Sequence, residues 1–254
     1  MITYYGETDI GRRRTLNEDA ILTEDGLFIV CDGMGGHKAG EVAAKIATNV
    51  IATFIRRSRE DPEITWPYGF ERQVSLDGNR LLTAIKLANR AVFRKAASSD
   101  DYTGMGTTVA VVSILRGGVR MAYGSVGDSR IYLIRGDAIL QLTRDDSWLN
   151  LAWDAGAAGT LDNSTKASMK NVLTKALGSG QDVDFEIAEH KLNDHDTVLL
   201  CSDGLTNMLS DQHILEIVSS SEPDLERSCH ALVTAANEAG GRDNISAVLV
   251  RYTR

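Results

Sequence analysis

Six acidic residues and one arginine carry most of the chemistry this sequence can offer. Asp32 follows the apolar run Leu27 to Cys31 and opens the glycine-rich stretch DGMGGHKAG, where Gly33, Gly35 and Gly36 let main-chain groups approach an ion or a phosphate. Taken alone, this stretch reads equally well as an ordinary strand-to-helix turn. The arrangement recurs, however. Asp128 interrupts extended chain in VGDS, Asp203 follows the apolar run Thr197 to Cys201 in SDGL, and Asp243 in GGRDN precedes the apolar run Ile245 to Val250. Glu18 and Asp19 close the segment GRRRTLNED, which is either a solvated charged turn or an arginine fork and carboxylate pair serving an anion and a metal. A pocket of oxygen ligands without a thiolate or imidazole cluster suits magnesium or manganese and argues against zinc or copper. Carboxylates gathered so densely repel one another and resist ionising unless cations compensate them. Two ions about 4 Å apart could share a carboxylate, hold a hydroxide formed near neutral pH and aim it at phosphorus, while an arginine neutralises the non-bridging oxygens.

The chain is long enough to hold such groups in a substantial core. It has 254 residues, of which 43% are hydrophobic, only three prolines and no low-complexity tract, so a single domain over 1–254 is expected. A formal charge of −8 opposes nonspecific attraction to nucleic acid or to an anionic membrane. Phosphorylated side chains are the more plausible partners. The N-terminus lacks the apolar stretch of a secretory signal and no apolar run would span a bilayer, so a cytoplasmic setting is the expectation. Cys31, Cys201 and Cys229 show no metal or redox spacing and read as buried thiols. Cys31 and Cys201 nevertheless flank site carboxylates, which leaves oxidation open as a lesser reading.

The elements that must position these residues follow from periodicity. Weak alternation over 3–10 suggests a first strand, and Ala20 to Leu22 leads through an Asp25-Gly26 turn into the strand ending at Asp32. Apolar residues at Val42, Ala43, Ile46, Ala47, Val50, Ile51, Phe54 and Ile55 predict an amphipathic helix over Glu41 to Arg57. Ser58 to Asn79 reads as an irregular connection before a second helical pattern from Leu81 to Val92. Strands are expected at Thr107 to Leu115, Arg120 to Val126 and Arg130 to Arg135, with turns at Gly117-Gly118 and Gly136-Asp137. Asp145 to Gly180 breaks the regularity and is either a flap beside a site or a surface insertion. Helices are predicted from Asp211 to Val218 and, with Pro223 in the first turn, through Leu225 to Ala236, ending at Gly240-Gly241.

The ordered motifs RTLNED (14–19), DGMGGHKAGE (32–41), MGTT (105–108), VGDSRIY (126–132), SDGL (202–205) and GGRDN (240–244) resemble the metal-dependent protein serine/threonine phosphatases of type 2C, in their bacterial form. The resemblance implies an α+β fold, a four-layer α-β-β-α sandwich of two antiparallel β-sheets flanked by helices, with a two-metal site at one end. It implies hydrolysis of phosphoserine and phosphothreonine in proteins by a metal-bound hydroxide, with two Mn2+ or Mg2+ ions and a third bound weakly. Carried over residue by residue, Asp32 matches the carboxylate bridging both ions, Gly33 a carbonyl ligand, and Asp203 and Asp243 the other direct ligands. Asp128 matches a ligand of the third ion, and Glu18 and Asp19 match acids that hold metal-bound water. Arg14 matches the phosphate-binding arginine, with Arg12 and Arg13 as alternative registers. Asn244 matches a residue that orients the site from behind the ligands. The partners implied are phosphoproteins, substrates of a cognate kinase, and a monomer is expected.

Two positions depart from that pattern. Met34 stands where eukaryotic relatives carry a histidine proposed as general acid, so the leaving group needs another proton source, such as water on a metal. Asp146 stands where relatives often have histidine. His37 reads as a surface or capping residue at a helix start more readily than as a catalytic one. A catalytically silent phosphoprotein-binding module would be expected to lack direct ligands, and a metal-storage protein would not need the arginine; neither fits this residue set.

Overall fold

The longest apolar runs are unbroken because their strands bury both faces. On Leu27–Met34, Phe28 and Val30 face one core while Leu27, Ile29 and Cys31 face another. Residues 1–254 are described by the computed structural model except 25, 36–38, 62, 116, 118, 171 and 222 and the side chains of 163, 167 and 170. Asp25, Gly36, His37 and Gly118, named above, thus lie outside the described residues.

Eleven strands are present among the described residues: β1 (Ile2–Asp9), β2 (Asp19–Glu24), β3 (Leu27–Met34), β4 (Gly106–Thr107), β5 (Val109–Ile114), β6 (Arg120–Val126), β7 (Arg130–Arg135), β8 (Ala138–Gln141), β9 (Ile187–Lys191), β10 (Thr197–Cys201) and β11 (Ile245–Tyr252). The helices are α1 (Ala39–Glu60), α2 (Leu76–Ala96), α3 (Trp148–Asp154), α4 (Asn163–Lys170), α5 (Asp203–Thr206), α6 (Asp211–Ser220) and α7 (Leu225–Glu238). One antiparallel sheet has the order β1-β11-β10-β7-β8; the other runs β2-β3-β5-β6-β9, with β4 paired to β3. Phe28, Val30, Val112, Met121, Ile131, Leu200 and Val248 fill the space between the sheets. The apolar faces of α1 and α2 cover the outer face of the second sheet, and those of α6 and α7 cover the first. This is the expected α-β-β-α sandwich. Among the described residues no helix is long and apolar enough to cross a membrane.

Several boundaries differ from those the sequence predicts. β3 does not break at Asp32 but runs on to Met34, because Gly33 and Met34 pair with Thr107 and Gly106 of β4. α2 starts at Leu76, inside the stretch expected to be irregular; Ser75 caps it by accepting from the Gly78 N–H at 3.0 Å. Pro223 lies before the helix rather than in its first turn, since the Asp224 side chain takes the cap by accepting from the Arg227 N–H. β8 and β9 are sheet edges of four and five residues, β9 with charged members, too short to give a strand signal. The segment 145–180 contains α3 and α4, and its tail is tied down: Leu177 is fully buried and exchanges backbone hydrogen bonds with Thr107 at 2.8 and 3.1 Å.

Candidate active site

Antiparallel pairing explains why residues so distant in sequence meet. β2, β5, β7 and β11 begin, and β1, β3, β6 and β10 finish, at one end of the sandwich, as the pairings Asp19↔Asp32, Val109↔Val126, Cys201↔Arg130 and Asp9↔Ile245 record. Three crossings between the sheets occur at that end, one of them the β8–β9 connection over 142–186, which carries Asp145 and Asp146. The β1–β2 connection carries Arg14 and Glu18, and the β6–β7 connection carries Asp128.

The backbone around Asp32 is fixed on both sides. Its N–H donates to Thr108 Oγ1 at 2.9 Å, and its carbonyl accepts from the Thr107 hydroxyl at 2.9 Å and the Thr108 N–H at 2.8 Å. Gly33 packs so tightly that a Cβ there would lie 2.1 Å from the Gly40 carbonyl oxygen and 2.6 Å from that of Glu18. Gly204 is equally constrained: a Cβ would lie 1.9 Å from the Asn244 carbonyl oxygen. Asn244 ties three segments together. Its Nδ2 donates to the carbonyls of Ile10 (3.0 Å) and Leu16 (2.9 Å), and its Oδ1 accepts from the Glu18 N–H at 2.8 Å.

The acids respond strongly to this crowding. Burial, followed by repulsion from Asp19, Asp203, Asp128 and Asp243, holds Asp32 well above the ordinary carboxylate range. Asp203 is raised by burial and then by the charge of Asp243, with the opposite charge of Arg14 and the Asn207 amide partly offsetting this. Burial first, then Asp203 and Asp145, pushes Asp128 up to about 7. Asp19 rises to about 7 by burial, although Ser246 and Ser202 hydroxyls donate to its Oδ2 at 2.6 and 2.8 Å. Those two bonds also knit one sheet to the other. Burial raises Glu18 despite the opposing charge of Arg14.

Arg14, rather than Arg12 or Arg13, reaches the acids. Its guanidinium donates to Asp243 Oδ2 at 2.7 Å and stands 4.0 Å from Glu18, whereas Arg12 Nε donates to the Asn237 carbonyl.

These distant segments match a known pattern over nearly the whole chain: residues 10–249 fit the family model for protein phosphatase 2C. The chain belongs to the protein phosphatase 2C family. It is a phosphoprotein phosphatase by that membership. Protein phosphatase PhpP of Streptococcus pneumoniae is 33% identical over 248 residues, which cover 96% of this chain and 94% of PhpP. The S. agalactiae serine/threonine phosphatase structure superposes with a TM-score of 0.82 at 33% identity, covering 100% of both chains. The catalytic domain of serine threonine protein phosphatase PstP, solved in complex with two manganese ions, gives 0.81 at 30% identity, covering 100% of this chain and 99% of that one.

The phosphatase's own acids fit hard cations. Glu18 Oε1, Asp19 Oδ1 and Asp203 Oδ1 are buried oxygens that find no hydrogen-bond donor, and buried acceptors are seldom left so without a role. Among the described residues no three acids form a ready-made ion cage. Competing bonds account for this: Asp243 Oδ2 is held by Arg14, Asp243 Oδ1 by the Asn244 N–H, and Asp203 Oδ2 by Asn207 at 2.9 Å. The cysteines stay inert thiols here, since burial pushes Cys31, Cys201 and Cys229 each up to about 12. Ser202, Ser246 and Thr108 complete the site's support, and sequence reasoning did not find them. A serine or threonine beside an aspartate is too common a pattern to be informative without the sheet pairing.

Proposed function

We propose that this phosphatase hydrolyses phosphoserine and phosphothreonine in proteins at a site loaded with two divalent cations, manganese or magnesium. Asp32, the Gly33 carbonyl, Asp203 and Asp243 would hold the pair, Asp128 a third ion, and Glu18 and Asp19 the surrounding water. The observation that carries the reading is the set of mutually repelling acids with orphaned buried oxygens beside the Arg14 guanidinium. The two manganese ions in the PstP structure support the choice of metal. When bound, the ions supply an activated water for in-line attack on phosphorus and neutralise developing charge.

The chain's own residues do the rest. Arg14, about half exposed, is free to turn one face of its guanidinium from Asp243 to the non-bridging phosphate oxygens, where a two-pronged contact fixes orientation. Asn244 holds Glu18 and the Arg14-bearing connection in register with Asp243. With the cysteines buried as thiols, no side chain of that type is available for a covalent phosphoenzyme route.

The test is hydrolysis of a phosphothreonine peptide in manganese. Activity is expected to disappear in excess EDTA and to fall about a thousandfold or more in Asp32→Asn with melting behaviour intact. Undiminished turnover under either condition overturns the reading.

A further inference from the structure

A groove of about 700 Å3 opens beside the acid cluster, between the segment 142–154 and the residues 184–188 that lead into edge strand β9. Tyr123, Leu142 and Phe185 give it a partly apolar lining, and its size is that of a built binding cleft rather than a surface dimple. Its charge is one-sided. Five carboxylates line it against Arg144 and Lys175. Three of the five are already committed: Asp145 to Arg130 at 2.7 and 2.8 Å, Asp146 to Lys175 at 3.3 Å and Asp154 to Arg144 at 2.6 Å. Asp184 and Glu186 are exposed and, among the described residues, make no ion pair.

One wall of the groove is bonded to the backbone that carries a member of the acid cluster. Asp146 Oδ2 accepts from the Gly127 N–H at 3.1 Å, and the Asp146 N–H donates to the Gly127 carbonyl at 2.9 Å. Gly127 precedes Asp128, whose charge acts directly on Asp32. A polypeptide presenting a phosphorylated side chain to the acids therefore has this cleft within reach along its backbone.

We propose that the groove takes a lysine- or arginine-bearing segment of the phosphoprotein, flanking the phosphorylated residue, and so selects among substrates. This rests on the phosphoprotein reading above. Two uncompensated carboxylates over aromatic walls suit a long basic side chain, whose methylene stem lies on Tyr123 or Phe185 while its charged head reaches Asp184 or Glu186. An anionic ligand would meet repulsion there, and the remaining acids already hold their own cations.

The test uses the full chain and an Asp184→Lys/Glu186→Lys variant, both residues being exposed and outside the site. Substrates are p-nitrophenyl phosphate, a phosphothreonine peptide with arginines on both sides, and the same peptide with alanines instead. The variant is expected to raise KM for the arginine peptide about tenfold, with kcat, the alanine peptide and p-nitrophenyl phosphate unchanged. Fluorescence anisotropy of the unphosphorylated arginine peptide, in EDTA, should weaken by a similar factor. Equal loss on both peptides, or no loss on the arginine peptide, overturns the groove assignment and leaves the phosphatase reading standing. A wild type that binds the arginine peptide through Asp184 and Glu186 yet hydrolyses none of the three does the reverse.

Discussion

Asp128 offers a direct measure of what the crowded acids cost the fold. Its carboxyl is pushed from an ordinary 3.8 up to about 7, chiefly by burial and then by Asp203 and Asp145. A carboxylate raised on folding binds its proton more tightly in the native state. Its penalty is therefore absent below about pH 4, grows as pH climbs between the two values and is complete above about 7. A shift of about three units at 1.36 kcal/mol each sets a ceiling near 4 kcal/mol, which water entering between the acids lowers toward about 2. Asp128→Asn removes the ionisation while keeping the side chain's shape. In EDTA, urea denaturation at pH 8 should find the variant about 2–4 kcal/mol more stable than wild type, with the difference falling below about 1 kcal/mol at pH 4. Manganese should reduce or reverse the gap at pH 8, because the wild type has more to gain from a compensating cation. A stability difference that is flat with pH would refute the reasoning, since it would place the effect in packing rather than in charge.

Three further outcomes are expected. Gly33→Ala drives a methyl against the Gly40 carbonyl, with backbone on both sides and no flexible side chain to yield, and should cost about 3 kcal/mol or more in a thermal or urea melt; an unchanged melting temperature contradicts it. Asn244→Ala strips two carbonyls and one N–H of their partners and should cost about 2–4 kcal/mol by urea denaturation, a value under about 0.5 arguing that water replaces the amide. Arg14→Ala should change metal-free stability by less than about 1 kcal/mol, as befits an exposed pair, and raise KM for p-nitrophenyl phosphate about tenfold. Isothermal titration should find manganese affinity undiminished in that variant, because Asp243 loses its competing partner.

Much of the layered architecture was legible because it depends on runs of local chemistry. The unbroken apolar stretches at 27–31, 197–201 and 245–250 read as strands, which the structure buries on both faces, and the spacing from Val42 to Ile55 reads as one buried helical face. Edge strands β8 and β9 were not legible: four or five partly exposed residues, two of those in β9 charged, are too few to show a periodicity. The start of α2 at Leu76 was signalled by the capping serine, but the surrounding charge and prolines obscured it. Motif spacing pointed to the acids, yet spacing alone could not say which of Arg12, Arg13 and Arg14 reaches them.

By itself, then, the chain's order of residues determined that acids recur at strand ends, that no thiol or imidazole cluster accompanies them in sequence, and which segments pack inward. These follow from residue type and short-range pattern. The tertiary structure alone decided that the strand ends share one edge of the sandwich, that Ser202 and Ser246 brace Asp19 across the sheets, and that Arg14 is held by Asp243. It also opened the acidic groove beside Asp146. Those outcomes depend on pairing register and on three crossings between sheets, and they join residues as much as 229 positions apart, beyond the reach of any local pattern.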